Sequence, residues 1–174
     1  MFQRLRRLFD RRTPAHGLDP SRAMERYERG VALFDEGKWS AAEREFTRAI
    51  GSSPPIAGMY HHRGSAFAEQ GKHLEAISDY DAAIRLRPGY PDTYLDRGNS
   101  YHALELDEHA VRDYSEAIRL RPEYAEAFAN RAVVHAVLGD DGASRWDADE
   151  AIARGIDRAA LEELLEETVK VREG

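Results

Sequence analysis

The strongest constraint on the fold of this chain is that its sequence repeats itself every 34 residues. Residues 79–90 and 113–124 are nearly identical. A repeat of this length is one supersecondary unit, which buries its apolar face by stacking on its neighbours. We therefore expect an elongated stack of similar units. The positions that define the period are Gly30, Gly64 and Gly98; Pro54, Pro88 and Pro122; Ala49, Ala83, Ala117 and Ala151; Ile50, Ile84, Ile118 and Ile152; and Phe46, Tyr80 and Tyr114.

The repeated glycines fall inside predicted helices, where glycine costs about 0.5–1 kcal/mol relative to alanine. This cost indicates that each glycine marks a close crossing of the two helices of a unit. We expect the matching small residues on the second helix to be Ala42, Ala76 and Ala110.

Other glycines and the repeated prolines predict where the helices end. Glycine after a helix accommodates a left-handed backbone, which predicts C-caps at Gly37, Gly71 and Gly139. The repeated prolines follow each second helix and stop it. The predicted helices are 22–36, 40–51, 57–70, 74–86, 91–104, 108–120, 125–138 and 142–154.

These residues and their period resemble the tetratricopeptide-repeat (TPR) family, whose unit is a helix–turn–helix with a W-x2-L-G-x2-Y…A-x3-F…P pattern. The second unit matches at Tyr60, Arg63, Gly64, Phe67, Ala76, Tyr80, Ala83 and Pro88, and the third at the equivalent positions. The first unit departs at Arg26; the fourth departs at Ala132, Ser144, Ala148 and Ile156. The resemblance implies an all-α, right-handed superhelical solenoid of four repeats, near 23–56, 57–90, 91–124 and 125–156.

The two ends of the chain differ from the repeats. Residues 157–174 carry leucines at helical spacing with glutamates on the opposite side, which predicts a helix that caps the last apolar face. Residues 1–20 form a predicted basic arm and linker, with five arginines against one aspartate in residues 1–12. Phe2, Leu5 and Phe9 form a short apolar stripe beside these arginines, so the arm is either a flexible tail, a self-docked segment or a membrane-surface anchor.

Composition excludes several functional classes. Hydrophobic residues make up 42% of the chain, which suffices for a packed interior. A net charge of -7 argues against general nucleic-acid binding, which needs a basic face. The chain has no cysteine, and no apolar run approaches the roughly 20 residues of a membrane span. The arginine-interrupted start lacks the apolar stretch of a signal peptide, so we expect a cytoplasmic protein.

The sequence contains no pattern typical of an enzyme or a metal site. No G-x-S-x-G elbow is present, and the glycine–lysine spacings do not match a phosphate-binding loop. No two of the seven histidines are three or four residues apart, so none forms a metal-binding pair within one helix. His135 occupies a packing position. We predict no catalytic residue, cofactor or metal, although a ligand- or metal-dependent enzyme remains a third alternative.

A charge pattern also follows the period. Arginine recurs at one position of each first helix, and an acid follows sixteen residues later on the second helix. We interpret the pairs as structural ion pairs within each hairpin. They are Arg29 with Glu45, Arg63 with Asp79, Arg97 with Asp113 and Arg131 with Asp147.

The TPR resemblance implies that the first helices line a concave groove in which a partner segment lies. The predicted groove residues are Tyr27, Val31, Phe34, His61, His62, Ser65, Leu95, Asp96, Asn99, His102, Asn130 and Val133. Tyr27, Phe34, Leu95 and Val133 are the expected apolar anchors.

One TPR subfamily holds the acidic tail of heat-shock chaperones with lysines, arginines and asparagines. Of these clamp residues only Asn99 and Asn130 have counterparts here. The basic positions hold Tyr27, His61, Asp92, Asp96 and Glu126. Carboxylates would repel such a tail, so the sequence predicts a protein-binding adaptor or scaffold whose partner segment is neutral or basic. The alternative is a membrane-peripheral assembly scaffold attached through the basic arm.

Overall fold

The computed structural model describes residues 18–174 of the chain. Within that range the protein is helical throughout, with nine α-helices and no strand. Every predicted helix is present, and each observed end lies within two residues of its predicted position. Residues 1–17, which hold most of the predicted basic arm, lie outside the described residues. The helices are α1 (Pro20–Asp35), α2 (Trp39–Ile50), α3 (Ala57–Ala68), α4 (His73–Leu86), α5 (Pro91–Ala103), α6 (Asp107–Leu120), α7 (Ala125–Leu138), α8 (Asp141–Ala153) and α9 (Arg158–Glu173).

Local chemistry accounts for where the helices begin and end. The Asp19 carboxylate accepts a hydrogen bond from the Arg22 backbone N–H at 3.1 Å and so caps α1. The predicted C-cap glycines all have a left-handed backbone, with φ of +71° at Gly37, +73° at Gly71 and +80° at Gly139. The third repeat has no glycine there, and Glu105 adopts the left-handed conformation instead, with φ of +58°.

The helices pair into hairpins that stack in chain order. The apolar interior is divided into four clusters along the described array, as expected for a solenoid. The first helices α1, α3, α5 and α7 contact one another in succession, whereas the described second helices do not contact one another. The first helices therefore line the shorter, concave side. At the far end α9 packs against α7, and its Leu161 is buried beside Phe128 and Ala148.

The repeated glycines lie at close helix crossings, but their contact residue differs from the prediction. A Cβ at Gly64 would lie 2.8 Å from Tyr80 Cε1, and a Cβ at Gly98 would lie 2.6 Å from the same atom of Tyr114. The aromatic ring of the second helix, and not the repeated alanine, is therefore what demands glycine. The fourth repeat supports this reason, because alanine replaces the glycine at 132 and also the aromatic residue at 148.

The predicted ion pairs form in three of the four hairpins. Arg63, Arg97 and Arg131 each donate two hydrogen bonds, of 2.6–2.8 Å, to Asp79, Asp113 and Asp147 respectively. Each arginine also donates to the second helix of the preceding repeat, at Thr47, Asp81 and Ser115 respectively. These arginines therefore join neighbouring repeats as well as the helices of one hairpin.

The first hairpin departs from this arrangement. Glu45 is paired with Arg26 at 3.6 Å and with Arg48 at 2.7 Å, and Arg29 is not among its partners within the described residues. The predicted pair of Arg29 with Glu45 is therefore wrong. Arg26 stands where the other repeats have an aromatic residue, and its guanidinium takes the place of the expected arginine.

No helix among residues 18–174 has both the length and the apolar character needed to cross a membrane.

Candidate functional site

The concave face holds two adjoining cavities, both lined by predicted groove residues. The smaller one, of about 160 Å³, lies between the first three repeats and is lined by Tyr27, His61 and His62 together with Tyr90 and Thr93. The larger one, which we call the central cavity, measures about 520 Å³. Its lining residues are Phe34 from α1, Ser65 and Ala68 from α3, Glu69 from the turn after α3, His73 and Tyr80 from α4, and Asp96, Asn99 and Ser100 from α5.

The smaller cavity is bounded by aromatic side chains that hold one another in place. The Tyr27 ring packs edge-on against His62, with ring centres 5.4 Å apart, and lies 5.9 Å from the Phe46 ring. The Tyr27 hydroxyl lies 3.2 Å from His62 Nδ1, which also lies 2.9 Å from the Gly58 carbonyl oxygen. Burial raises the pKa of Tyr27, so this hydroxyl stays protonated at neutral pH. The cluster is a rigid wall of the groove.

His61 and Asp96 form the boundary between the two cavities. Burial, followed by the neighbouring His62, lowers the pKa of His61 to about 4, so its ring is neutral near pH 7. Its Nδ1 lies 3.1 Å from the Thr93 hydroxyl oxygen, and its Nε2 lies 3.6 Å from Asp96 Oδ2. That last distance is too long for a hydrogen bond, and a neutral ring cannot form an ion pair. His61 therefore does not compensate the charge of Asp96.

Asp96 is the most strongly perturbed carboxyl of the central cavity. Burial, followed by the negative charges of Asp92 and Glu69, raises its pKa to about 7. Its side chain is nevertheless 32% exposed and faces the groove. Asp92, one turn earlier on α5, differs because it is fully partnered. Arg121 donates two hydrogen bonds of 3.0 Å to it, and the Tyr124 hydroxyl donates one of 2.7 Å.

The remaining predicted groove residues fall into two groups. On the open face, Asn99 Oδ1 accepts hydrogen bonds from the Tyr114 hydroxyl at 2.9 Å and from Asn130 Nδ2 at 2.8 Å, so the two asparagines are brought together. The Ser65 hydroxyl donates to the His61 carbonyl oxygen at 3.2 Å. Val133 is half-buried on α7.

The residues of the second group are packed in the core or contact other residues of the protein. Leu95 is only 8% exposed and belongs to the core of the third repeat, so it offers little surface to a partner. Val31 and Phe34 are partly buried against Phe46, although Phe34 also lines the central cavity. His102 contacts Asp107 Oδ1 at 2.6 Å, at the start of α6, and does not line either cavity.

Sequence reasoning did not assign Glu69, His73, Tyr80 or Ser100 to the groove, although all four line the central cavity. Ser100 carried a usable signal, because the equivalent positions in the other repeats hold Ala32, Ala66 and Val134. A single polar residue at an otherwise apolar repeat position is a departure that the fold does not require. His73 lies on a second helix, which a groove built only from first helices does not include.

Among residues 18–174, no group of three or more histidine or acidic side chains is placed to hold a metal ion.

The fold and the groove place this protein in the class of helical-hairpin repeat solenoids. Two family models for the tetratricopeptide repeat match the sequence, one over residues 64–105 and the other over residues 91–124. Residues 64–124 are thus tetratricopeptide repeats in sequence, and the other described helical hairpins continue the same stack. No curated protein sequence matches the chain significantly.

Solved structures similar to this chain include TPR domains. The first TPR of Spaghetti (RPAP3), solved bound to the HSP90 peptide SRMEEVD, is 27% identical, with a TM-score of 0.69 over 72% of this chain and 99% of that one. The first TPR domain of human RPAP3 is 28% identical, with a TM-score of 0.67 over 70% and 96%. The MamA protein, at 20% identity, shares the fold, with a TM-score of 0.74 over 82% and 78%.

Proposed function

We propose that the chain is a cytoplasmic adaptor or scaffold that binds a segment of another protein along its concave face. The observation that carries the proposal is the pair of adjoining cavities on the side lined by the first helices. Solved TPR domains bind peptides of partner proteins. The first TPR of Spaghetti (RPAP3), for example, binds an HSP90 peptide. The proposal includes no catalytic step, because repeats of this family are interaction modules.

The chemistry of the groove supports a partner segment that is neutral or basic. The peptide SRMEEVD bound by the Spaghetti domain is acidic. The corresponding surface here presents Asp96 and Glu69 in the central cavity and the exposed Glu126 on α7. Like charges placed opposite one another across an interface cost binding energy. Apolar contacts are available at Phe34 and Val133, whereas Leu95 is withdrawn into the core.

Site-specific photocrosslinking tests the location of binding. A benzophenone amino acid replaces Phe34 or Val133 on the concave side in the full-length protein, expressed in its source cell. Matched controls replace Leu74 on α4, which is 69% exposed, or Trp146 on α8, which is 56% exposed. We expect the same partner to be crosslinked from both concave positions and from neither control. Crosslinking only from Leu74 or Trp146 would move the binding surface to the second helices and contradict the proposal.

A fluorescently labelled SRMEEVD peptide tests the predicted chemistry of the partner. We expect no saturable binding at low salt, where charge interactions are least screened. Binding that tightens as salt is lowered would show that the groove accepts acidic tails after all.

A further inference from the structure

The central cavity contains polar atoms that the protein itself does not satisfy. Among the described residues, three buried side-chain nitrogen or oxygen atoms have no hydrogen-bond partner. Two of them, His73 Nδ1 and Ser100 Oγ, belong to residues that line this one cavity. Ser100 is only 1% exposed. An unpaired buried polar atom costs free energy, so its occurrence in a native structure requires an explanation.

The acids of this cavity are also without cations, in contrast to the buried acids of the hairpins and to Asp92. Asp79, Asp113 and Asp147 each hold an arginine, and Asp92 holds Arg121. Within residues 18–174, no lysine or arginine nitrogen lies within 4 Å of the carboxylate of Asp96 or of Glu69. The cavity is thus acidic, and no lysine or arginine of the described residues occupies its acceptors.

We propose that the central cavity is a recognition pocket for an arginine side chain of the partner segment, an inference that rests on the proposed function. A guanidinium presents five N–H donors in a planar fork and accepts no hydrogen bond. Carboxylate oxygens of Asp96 and Glu69, together with the Ser100 hydroxyl, are acceptors of the kind this fork requires. Phe34 and Tyr80 also line the cavity, and guanidinium groups stack on aromatic rings.

Arginine fits these features better than lysine does. The acceptors lie on α5 (Asp96 and Ser100) and in the turn after α3 (Glu69), so a group that donates in several directions satisfies more of them than a compact ammonium. The pocket also reverses the charge of the chaperone-tail clamp, in which cations on the repeat protein hold carboxylates of the peptide.

A cation held against Asp96 favours its ionised form, so binding lowers the pKa of that carboxyl. The groups that face Asp96 from the packed elements are His61 on α3, Glu69 directly after α3, Tyr80 on α4, Asp92 on α5 and Tyr114 on α6.

The pocket can be tested on the full-length chain without knowing the partner. The probe is Nα-acetyl-arginine methylamide, and the control compound is its citrulline analogue, which has a similar shape and no charge. Nuclear magnetic resonance titration at low salt follows the signals of Asp96, Asn99 and Ser100, including the Asp96 side-chain carbonyl carbon. We expect saturable shifts with the arginine compound alone, together with a lowered pKa of Asp96 in the bound state.

Two variants and one control complete the test. Asp96→Asn should weaken binding of the arginine compound about tenfold or more, since a charge-assisted hydrogen bond is lost, and Glu69→Gln should weaken it less. Asp149→Asn, an exposed acid on α8, should leave binding unchanged. Equal shifts with the citrulline compound, or equal binding by Asp96→Asn and Asp149→Asn, would overturn the pocket.

The failure of this inference is distinguishable from failure of the proposed function. If photocrosslinking finds the partner at Phe34 and Val133 but the arginine compound does not bind, the groove stands and the pocket is refuted. If the compound binds and the crosslinks come only from Leu74, the cavity binds arginine, but the concave binding mode is refuted and with it the assignment of that arginine to the partner segment.

Discussion

The contact between Gly64 and Tyr80 allows a quantitative test of how the hairpins are held together. Replacing Gly64 by alanine adds one methyl group in the interior of α3. That Cβ would lie 2.8 Å from Tyr80 Cε1 and 3.0 Å from Cδ1. The ring has little room to yield, because Tyr80 is 1% exposed and its hydroxyl is hydrogen-bonded to Ser65 Oγ at 3.3 Å.

Two opposing effects determine the result of Gly64→Ala. Alanine in a helix interior stabilises by about 0.5–1 kcal/mol relative to glycine. Carbon atoms in good contact lie about 3.5–4.0 Å apart, so helix and ring would have to separate by roughly 0.7 Å or more. Overpacking of this kind costs about 1–3 kcal/mol. The cost exceeds the gain, and we expect a net destabilisation of about 1–2 kcal/mol.

The assay is urea unfolding followed by far-UV circular dichroism, with Gly58→Ala as the matched control in the same helix. At Gly58 the nearest atom to an added Cβ is the Tyr27 hydroxyl oxygen at 3.5 Å, an ordinary contact. The control should therefore be as stable as the parent or slightly more stable. Combining Gly64→Ala with Tyr80→Ala should show favourable coupling, as alanine already occupies both positions in the fourth repeat. If Gly64→Ala matches Gly58→Ala, the proposed reason for the repeated glycine is incorrect.

Three further predictions follow from the charges. Arg131→Ala should destabilise the protein by about 3–5 kcal/mol in urea unfolding, because it leaves the buried Asp147 with His135, 3.7 Å away, as its only basic neighbour among the described residues. Removal of the exposed Arg119 should have no measurable effect. Asp96→Asn should stabilise the protein by about 1–3 kcal/mol at pH 8 and little at pH 4. As the pH rises from the ordinary pKa of 3.8 towards the raised pKa of about 7, the wild-type carboxyl destabilises the folded state increasingly, because burial opposes its ionisation. Equal stabilisation at both pH values would contradict this. If the basic arm anchors the chain to membranes, the full-length protein should sediment with anionic vesicles at low salt, and a form lacking residues 1–20 should not. If neither form sediments, the membrane-scaffold alternative is excluded.

The fold was largely predictable because its determinants are local and repeated. The ends of the helices follow from residues that act on their own backbone, such as the left-handed Gly37 and Gly71. Repetition then turned single weak signals into a strong one, since a glycine that recurs three times at one position is no accident of composition. The cap α9 was predictable from its apolar spacing alone.

The errors in the fold concern contacts between residues that are distant in sequence. Both an alanine and an aromatic ring recur at the same period on the second helix, so spacing alone did not reveal which one faces the glycine. The pair of Arg29 with Glu45 failed because Arg26, one helical turn earlier, competes for the same carboxylate. A periodic pattern predicts which positions are equivalent, but it does not determine which of two neighbouring arginines is closer.

The candidate site was predictable only as a face of the molecule. The concave position of Tyr27, His61 and Asn99 follows from the register of the repeats. The position of the central cavity does not follow from that register, because side chains from four helices line it and one of those helices, α4, is a second helix. The burial of Leu95 was missed for a related reason, since a position that faces the groove at one repeat can be covered by its neighbours at another.

The residues that distinguish this protein from a generic repeat are those that depart from its own period. Positions shared by all units, such as the paired arginines and acids, hold the stack together and carry no information about a partner. Ser100 stands where three other repeats have an apolar residue, and Asp96 occupies a variable position that holds Glu28, His62 and Asn130 in the other repeats. Neither residue improves packing, because Ser100 leaves an unpaired buried hydroxyl and Asp96 is an acid whose pKa is raised by burial. Both residues line the central cavity and destabilise the free protein. Their presence is best explained by the hydrogen bonds and the negative charge that they offer to a cationic side chain bound in that cavity.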